Sequence, residues 1–271
     1  MDFVGKGQPL SRVGLLEALD SLGLGAGEAA CIWTVVEVET SSVTQGFGFR
    51  RERRPQILFE RHKFREFTEG RFNTVAPEIS GPPGRYGTFA SQYDRLNRAL
   101  ALSAEAGLGV EPALKATSWG MGQIMGFNHE PAGFGSAAAM VNAMKDGEDA
   151  QLRAMCGFFT DAKLVEPLAS RDWVTFAAGY NGKNYWQNRY DVKLAQHYER
   201  FASGSLPSLE VRTAQAALLY LGYAPGKIDG VLGQRTRTAM ADFRIAAGLP
   251  PGDALDGATY LSLCDRAGLS H

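Results

Sequence analysis

Three cysteines in 271 residues, Cys31, Cys156 and Cys264, are too few and too widely spaced to staple a fold, and an odd number cannot pair completely. Cys31 and Cys156 sit among apolar neighbours, so all three are expected as free thiols. Histidine is almost as sparse. The four present have no metal-binding spacing, so no metal site and no cofactor are expected, and the zinc or cysteine–histidine constellations of amidases and peptidases are missing. His62 and His129 read as structural or surface residues. No stretch approaches the roughly 20 apolar residues of a membrane span, and Met1 to Leu16 lacks the basic start and apolar core of an export signal. An excess of either charge is also lacking. The 28 Lys and Arg against 29 Asp and Glu leave a net charge of -1, too small to steer the chain toward nucleic acid or anionic lipid. Neither nucleic-acid binding nor membrane insertion is expected, a monomer is, and any recognition must be local.

With 45% hydrophobic and 21% charged residues, the chain has the makings of one or two globular domains. From Phe201 to Pro207 a short Gly/Ser/Pro stretch separates two segments of helical periodicity, which divides the chain into 1–201, a linker at 202–208, and 209–271. Apolar residues at helical spacing predict helices in Ala30–Val38, Tyr93–Leu102, Ala137–Met144, Ala150–Phe159 and Trp173–Tyr180. The fold class is mainly α with a small β component. Thr40 to Pro82, rich in Gly, Pro, Arg and aromatics around the apolar run Ile57-Leu58-Phe59, is where a small hairpin or irregular lobe is expected.

The first predicted helix is apolar nearly all round yet ends in Glu37-Val38-Glu39. Side chains two positions apart on a helix point about 200° from each other, so at most one of these glutamates faces a cleft. A carboxyl at the end of a buried helix has its pKa raised by apolar surroundings and by the negative end of the helix dipole. It thereby becomes a proton donor near neutral pH. Glycoside hydrolysis uses such a donor with a second carboxylate across the scissile bond. Glu60 is the candidate for that second role, or else the salt-bridge partner of Arg61 or another basic neighbour. Ser118 to Asn128 places Gly120, Gly122 and Gly126 around Gln123, whose amide suits the acetamido and hydroxyl groups of an amino sugar; a Gly-rich turn under a helix is the alternative. Tyr180, Tyr185, Trp186 and Tyr190 offer flat faces for sugar rings, or core packing, and Tyr180 is the one assigned to the cleft. Arg50 to Arg54 reads as a solvated loop or as a contact for acidic peptide stems.

These motifs occur together and in order: Val38-Glu39-Thr40, Gly46-Phe47-Gly48-Phe49, Arg54-Pro55, Leu58-Phe59-Glu60-Arg61-His62, Ser118-Trp119-Gly120-Met121-Gly122-Gln123-Ile124-Met125-Gly126-Phe127-Asn128, and Asp172-Trp173 before Tyr180-Asn181-Gly182. Over roughly Leu10 to Phe201 the chain resembles the N-acetylmuramidase domain of many phage endolysins. That resemblance implies a lysozyme-like fold, Glu39 as catalytic acid, Glu60 as second carboxylate, and Ser118, Gln123, Tyr180 and Asn181 as substrate-positioning residues. It also implies synthesis in a host cytoplasm and release to the wall by a route other than a signal peptide. The chain departs from many relatives in carrying Thr40 to Gln45 where they have a short Ser-Gly-Gly turn.

Behind the linker, Val211–Leu221, Thr236–Ala247 and Tyr260–Arg266 read as three helices joined by loops holding Asp229-Gly230 and Asp256-Gly257. With Leu221-Gly222-Tyr223, Ile228 to Gly233, Phe243 and Gly248-Leu249, the segment resembles the three-helix peptidoglycan-binding module of many wall hydrolases. Arg244 stands where that family commonly has Gln, and both aspartates are expected to cap helices rather than bind ligand. The partner implied is bacterial peptidoglycan. Hydrolysis of its N-acetylmuramic acid–N-acetylglucosamine bond, transglycosylation giving anhydro ends, and wall binding without catalysis are the functions to be separated.

Overall fold

In the computed structural model, which describes residues 1–40 and 46–270, helix starts follow the capping residues of the sequence. Ser11, Ser136, Asp172, Ser208 and Asp256 each accept a hydrogen bond from the backbone N–H three residues on. They open α1 (Arg12–Ser21), α6 (Ala137–Met144), α9 (Trp173–Tyr180), α11 (Leu209–Tyr220) and α13 (Gly257–Ala267). The remaining helices are α2 (Ala29–Thr40), α3 (Arg61–Phe67), α4 (Gln92–Glu105), α5 (Glu111–Lys115), α7 (Glu148–Asp161), α8 (Val165–Ser170), α10 (Tyr190–Ser203) and α12 (Gln234–Ala246). None of the described helices is by itself long and apolar enough to cross a membrane.

The β component is a three-stranded antiparallel sheet, β1 (Ile57–Phe59), β2 (Thr117–Trp119) and β3 (Ile124–Met125), in the order β1-β2-β3. Thr40 to Pro82 holds a tight antiparallel turn of its own among the described residues, closed by the Phe49–Pro55 bridge and the bond from Gln56 N to Gly48 O, but the hairpin of this sheet lies elsewhere. It is the Gly-rich segment after Trp119, which turns back on β2, and only β1 comes from the earlier stretch. The sequence signal was weak because glycines that permit the turn dilute the alternation that marks a strand. Gln151 of α7 pins the turn: its Oε1 accepts from Met121 N at 2.7 Å while its Nε2 donates to Met144 O.

The core of the larger lobe is organised around α2, whose residues from Ala29 to Val36 are buried on every side and which packs along α10. A second apolar core holds α11, α12 and α13 together through Leu218, Met240, Phe243 and Leu263. Phe47 and Phe49, which belong to the larger lobe by sequence, are buried in this second core at 1% exposure each. Burying each is worth roughly 1.5–3 kcal/mol, so the small module is welded to the lobe rather than hung from it.

A buried ion pair reinforces the weld. Glu148 at the start of α7 and Arg212 on α11 are 0% and 1% exposed and meet at 2.6 Å. Glu148 also accepts from Leu10 N and Gly48 N, both at 2.9 Å, while Arg212 Nη1 donates to the carbonyls of Gly46 and Ile228. Gly46 has φ +86°, and a Cβ there would stand 2.7 Å from Ile228 O, so glycine is what lets this loop meet the module. Arg244 spans the module's last loop, donating to Pro250 O and Ala254 O and to the side chains of Asp256 and Thr259. Asp256, bonded to Thr259 and paired with Arg244, is held well below the usual carboxylate range. The two aspartates named in the sequence are engaged internally, Asp229 through Gln215 and Val231 N, Asp256 through Thr259 and Arg244.

Candidate active site

The two glutamates at the end of α2 separate as helix geometry requires. Glu37 turns to Arg200 Nη2 at 3.5 Å and Lys227 Nζ at 4.0 Å, the latter on the small module. Glu39 turns inward, where Asn181 Nδ2 donates to its Oε1 at 3.0 Å. Burial pushes the Glu39 carboxyl up to about 7, and the Asn181 donor and the Lys193 charge only partly oppose that rise. Residues 41–45, where the chain departs from the short turn of many relatives, lie outside the described residues.

Glu39 and Glu60 line one cavity of about 510 Å³. Glu60 follows β1 and immediately precedes α3. Its Oε2 lies 3.1 Å from His62 Nδ1, but neither atom has an aligned hydrogen bond. Burial raises the Glu60 carboxyl, with His62 opposing. Arg61 is not its partner, because the Arg61 guanidinium donates instead to Pro77 O.

Ser118 on β2 and Gln123 in the β2–β3 turn also line the cavity, and Ser118 Oγ donates to Gln123 Oε1 at 2.8 Å. Gln123 has φ +47°, a strained setting for a non-glycine residue, and its Nε2 is held by Gly120 O at 2.7 Å. Tyr180 and Asn181 come to the site differently. Tyr180 packs against Phe158, Phe159 and Phe176 and donates to Gly122 O at 2.7 Å, so it supports the Gln123 turn from the core. Asn181, at the end of α9, reaches the cavity through its bond to Glu39.

Gln56, Phe89, Gln92 and Tyr190 are among the lining residues that the sequence reading did not assign. Tyr190 opens α10, and burial together with the nearby Glu39 charge raises its hydroxyl pKa. Its position at the N-terminus of an amphipathic helix is the signal that separates it from the other aromatics. Gln92 accepts from Phe59 N and donates to Tyr86 O and Thr88 O, which ties β1 to the segment carrying Phe89. Nothing local in the sequence distinguishes Gln92 from an ordinary first-turn helix residue.

A helical lobe with a short antiparallel sheet, a cavity between them and a carboxyl at the end of the central helix defines a lysozyme-like domain, here followed by a three-helix module. Residues 28–202 match the N-acetylmuramidase family, and residues 207–260 match the peptidoglycan binding domain family. The chain belongs to the N-acetylmuramidase family and is a two-module peptidoglycan hydrolase. The crystal structure of the Burkholderia AP3 phage endolysin is similar to it, with 36% sequence identity, a TM-score of 0.62 and coverage of 72% of either chain. No curated protein matches the sequence.

Proposed function

We propose that the chain is a modular endolysin that hydrolyses the glycosidic bond between N-acetylmuramic acid and N-acetylglucosamine, with Glu39 as general acid. The observation that carries this reading is the inward Glu39 carboxyl, raised to about 7 and held by Asn181 in a cavity it shares with Glu60. A carboxyl of that pKa is substantially protonated at neutral pH and a strong enough acid to protonate a leaving oxygen. Because Asn181 donates to Oε1, the acidic proton sits on the other oxygen. Glu60 is assigned to the ionised partner, stabilising positive charge at the anomeric carbon or activating water, with the His62 imidazole beside it favouring the charged form. Ser118 and Gln123 offer hydroxyl and amide groups to the N-acetyl and hydroxyl substituents, and Tyr190 a ring face.

The three-helix module holds the enzyme on the polymer so that cleavage of neighbouring bonds becomes effectively intramolecular. The same reading places the site of action at the wall after release from a host cytoplasm and takes the enzyme to work as a monomer. The test is release of reducing ends from purified peptidoglycan by wild type, Glu39→Gln and Glu60→Gln. The assignment requires a loss of about 10²–10⁴-fold for Glu39→Gln, the usual worth of a general acid. Wild-type rates from Glu39→Gln would end it.

A further inference from the structure

A second cavity, of about 360 Å³, adjoins the catalytic one, and Gln56 and Phe89 line both. Its far wall belongs to the three-helix module, through Leu219 and Ile228, and its near wall to the loop carrying Arg50 and Arg51. The groove that passes Glu39 and Glu60 therefore runs on between the two domains.

The chemistry of this extension differs from that of the catalytic cavity. Arg50 donates to Phe89 O at 2.6 Å and stacks 4.2 Å over the Phe89 ring, which leaves its buried Nε without a hydrogen-bond partner. Arg51 is exposed and reaches toward the module, its Nη2 lying against Gly222. Glu52 on the same loop is exposed and offsets one of these charges, so the lining keeps a net positive charge. Gln56 is 5% exposed; its Nε2 is committed to Phe49 O at 2.9 Å, and its Oε1 has no partner. An amide oxygen left without a donor is an acceptor that a ligand N–H would satisfy. Two guanidinium groups and one unfilled acceptor suit a ligand carrying carboxylates and amide N–H groups together.

Resting on the reading of the protein as a peptidoglycan muramidase, we propose that this interdomain cavity binds the acidic peptide stem borne by the N-acetylmuramic acid of the cleaved strand. Arg50 and Arg51 take the stem carboxylates, Gln56 Oε1 takes an amide N–H, and Leu219 and Ile228 of the module cover the stem. The small domain thus forms part of the substrate site as well as an anchor.

The experiment compares kcat/KM of the full chain on two soluble substrates: glycan strands bearing their stems, and the same strands stripped by an N-acetylmuramoyl-L-alanine amidase. Wild type is expected to prefer stem-bearing strands by about fivefold or more, and Arg51→Glu and Leu219→Arg to reduce that preference to about unity, with the effect of Arg51 fading at high salt. No preference in wild type, equal losses on both substrates, or a preference retained in both variants would overturn the proposal. A variant effect that grows with the length of stripped strands would overturn it too, by showing a further sugar subsite. Failure of wild type to cut either substrate would refute the muramidase reading instead. The stem site is then judged by fluorescence anisotropy of a labelled free stem peptide on Glu39→Gln, where binding weakened by Arg51→Glu supports it and no binding refutes it.

Discussion

Asn181 and Glu39, 142 positions apart in sequence, meet through a single hydrogen bond of 3.0 Å that joins the end of α9 to the end of α2. The bond does two opposed things. It fixes the carboxyl in the cavity, and it favours the ionised form that burial disfavours. Replacing Asn181 with Ala therefore raises the Glu39 pKa above about 7 and moves the alkaline limb of the kcat/KM profile to higher pH, while kcat falls because the acid is no longer held. A pH–rate profile of Asn181→Ala checks this. An alkaline limb that stays in place or moves down contradicts the assignment of that limb to Glu39.

The same carboxyl makes stability depend on pH. Glu39 ionises near its ordinary 4.5 when unfolded but only near about 7 when folded, so between those values the folded protein keeps a proton that the unfolded chain has released. Its contribution to stability is intact below about pH 4.5 and is lost as pH rises through about 7. Glu39→Gln cannot ionise. It is expected to match wild type in acid and to exceed it at about pH 8 by up to about 3 kcal/mol, an inactive but more stable protein. Urea denaturation at the two pH values measures this, and equal stability at both would remove burial as the source of the raised pKa.

Much of this site is visible in the sequence because it is set by local pattern. An all-apolar helix ending in two glutamates has to turn one of them inward, and the break between Tyr180 and Gly182 marks the end of the helix that brings Asn181. What local pattern does not carry is pairing at a distance. Arg50 to Arg54 reads in sequence as a solvated loop or a contact for acidic peptide stems, and neither reading predicts that Arg53 donates to Lys6 O and Ala267 O and stacks on Tyr220, bracing both domains. Phe47 and Phe49 look like ordinary core residues of the first lobe, and only the folded chain shows them in the core of the second. Tyr180, the aromatic assigned to the cleft, supports the Gln123 turn, while Tyr190 lines the cavity. Tyr180 follows the apolar run Phe176 to Gly179, as a core residue does, whereas Tyr190 stands between Arg189 and Asp191 at the start of an amphipathic helix.

Arg212 tests the weld between the domains. Removing one partner of a buried pair leaves an uncompensated charge, so Arg212→Met is expected to cost about 3–5 kcal/mol in urea denaturation. Adding Glu148→Gln, which keeps an acceptor for one of the backbone N–H groups that Glu148 serves, should recover part of that loss. A loss under about 1 kcal/mol for Arg212→Met would mean that the pair does not hold the module.

Gly126 tests the backbone of the substrate turn. A Cβ there would stand 2.0 Å from Leu114 O, a clash that only backbone movement relieves, whereas a Cβ at Gly135 meets nothing within 4 Å. Gly126→Ala is expected to destabilise by on the order of 2 kcal/mol or more, and Gly135→Ala to stay within about 0.5 kcal/mol of wild type. Thermal melts of the two variants separate these outcomes, and equal melting temperatures would contradict the close packing of the Gly126 turn, just after β3, on α5.

The most direct test of the central claim, that Glu39 drives hydrolysis at N-acetylmuramic acid, is mass spectrometry of borohydride-reduced fragments from purified peptidoglycan, with Glu39→Gln run in parallel. The account predicts fragments ending in reduced N-acetylmuramic acid from wild type and none from Glu39→Gln. Anhydromuramic ends would make the enzyme a transglycosylase, N-acetylglucosamine ends would place the cut at the other bond, and fragments from Glu39→Gln at the wild-type rate would contradict the acid assigned here.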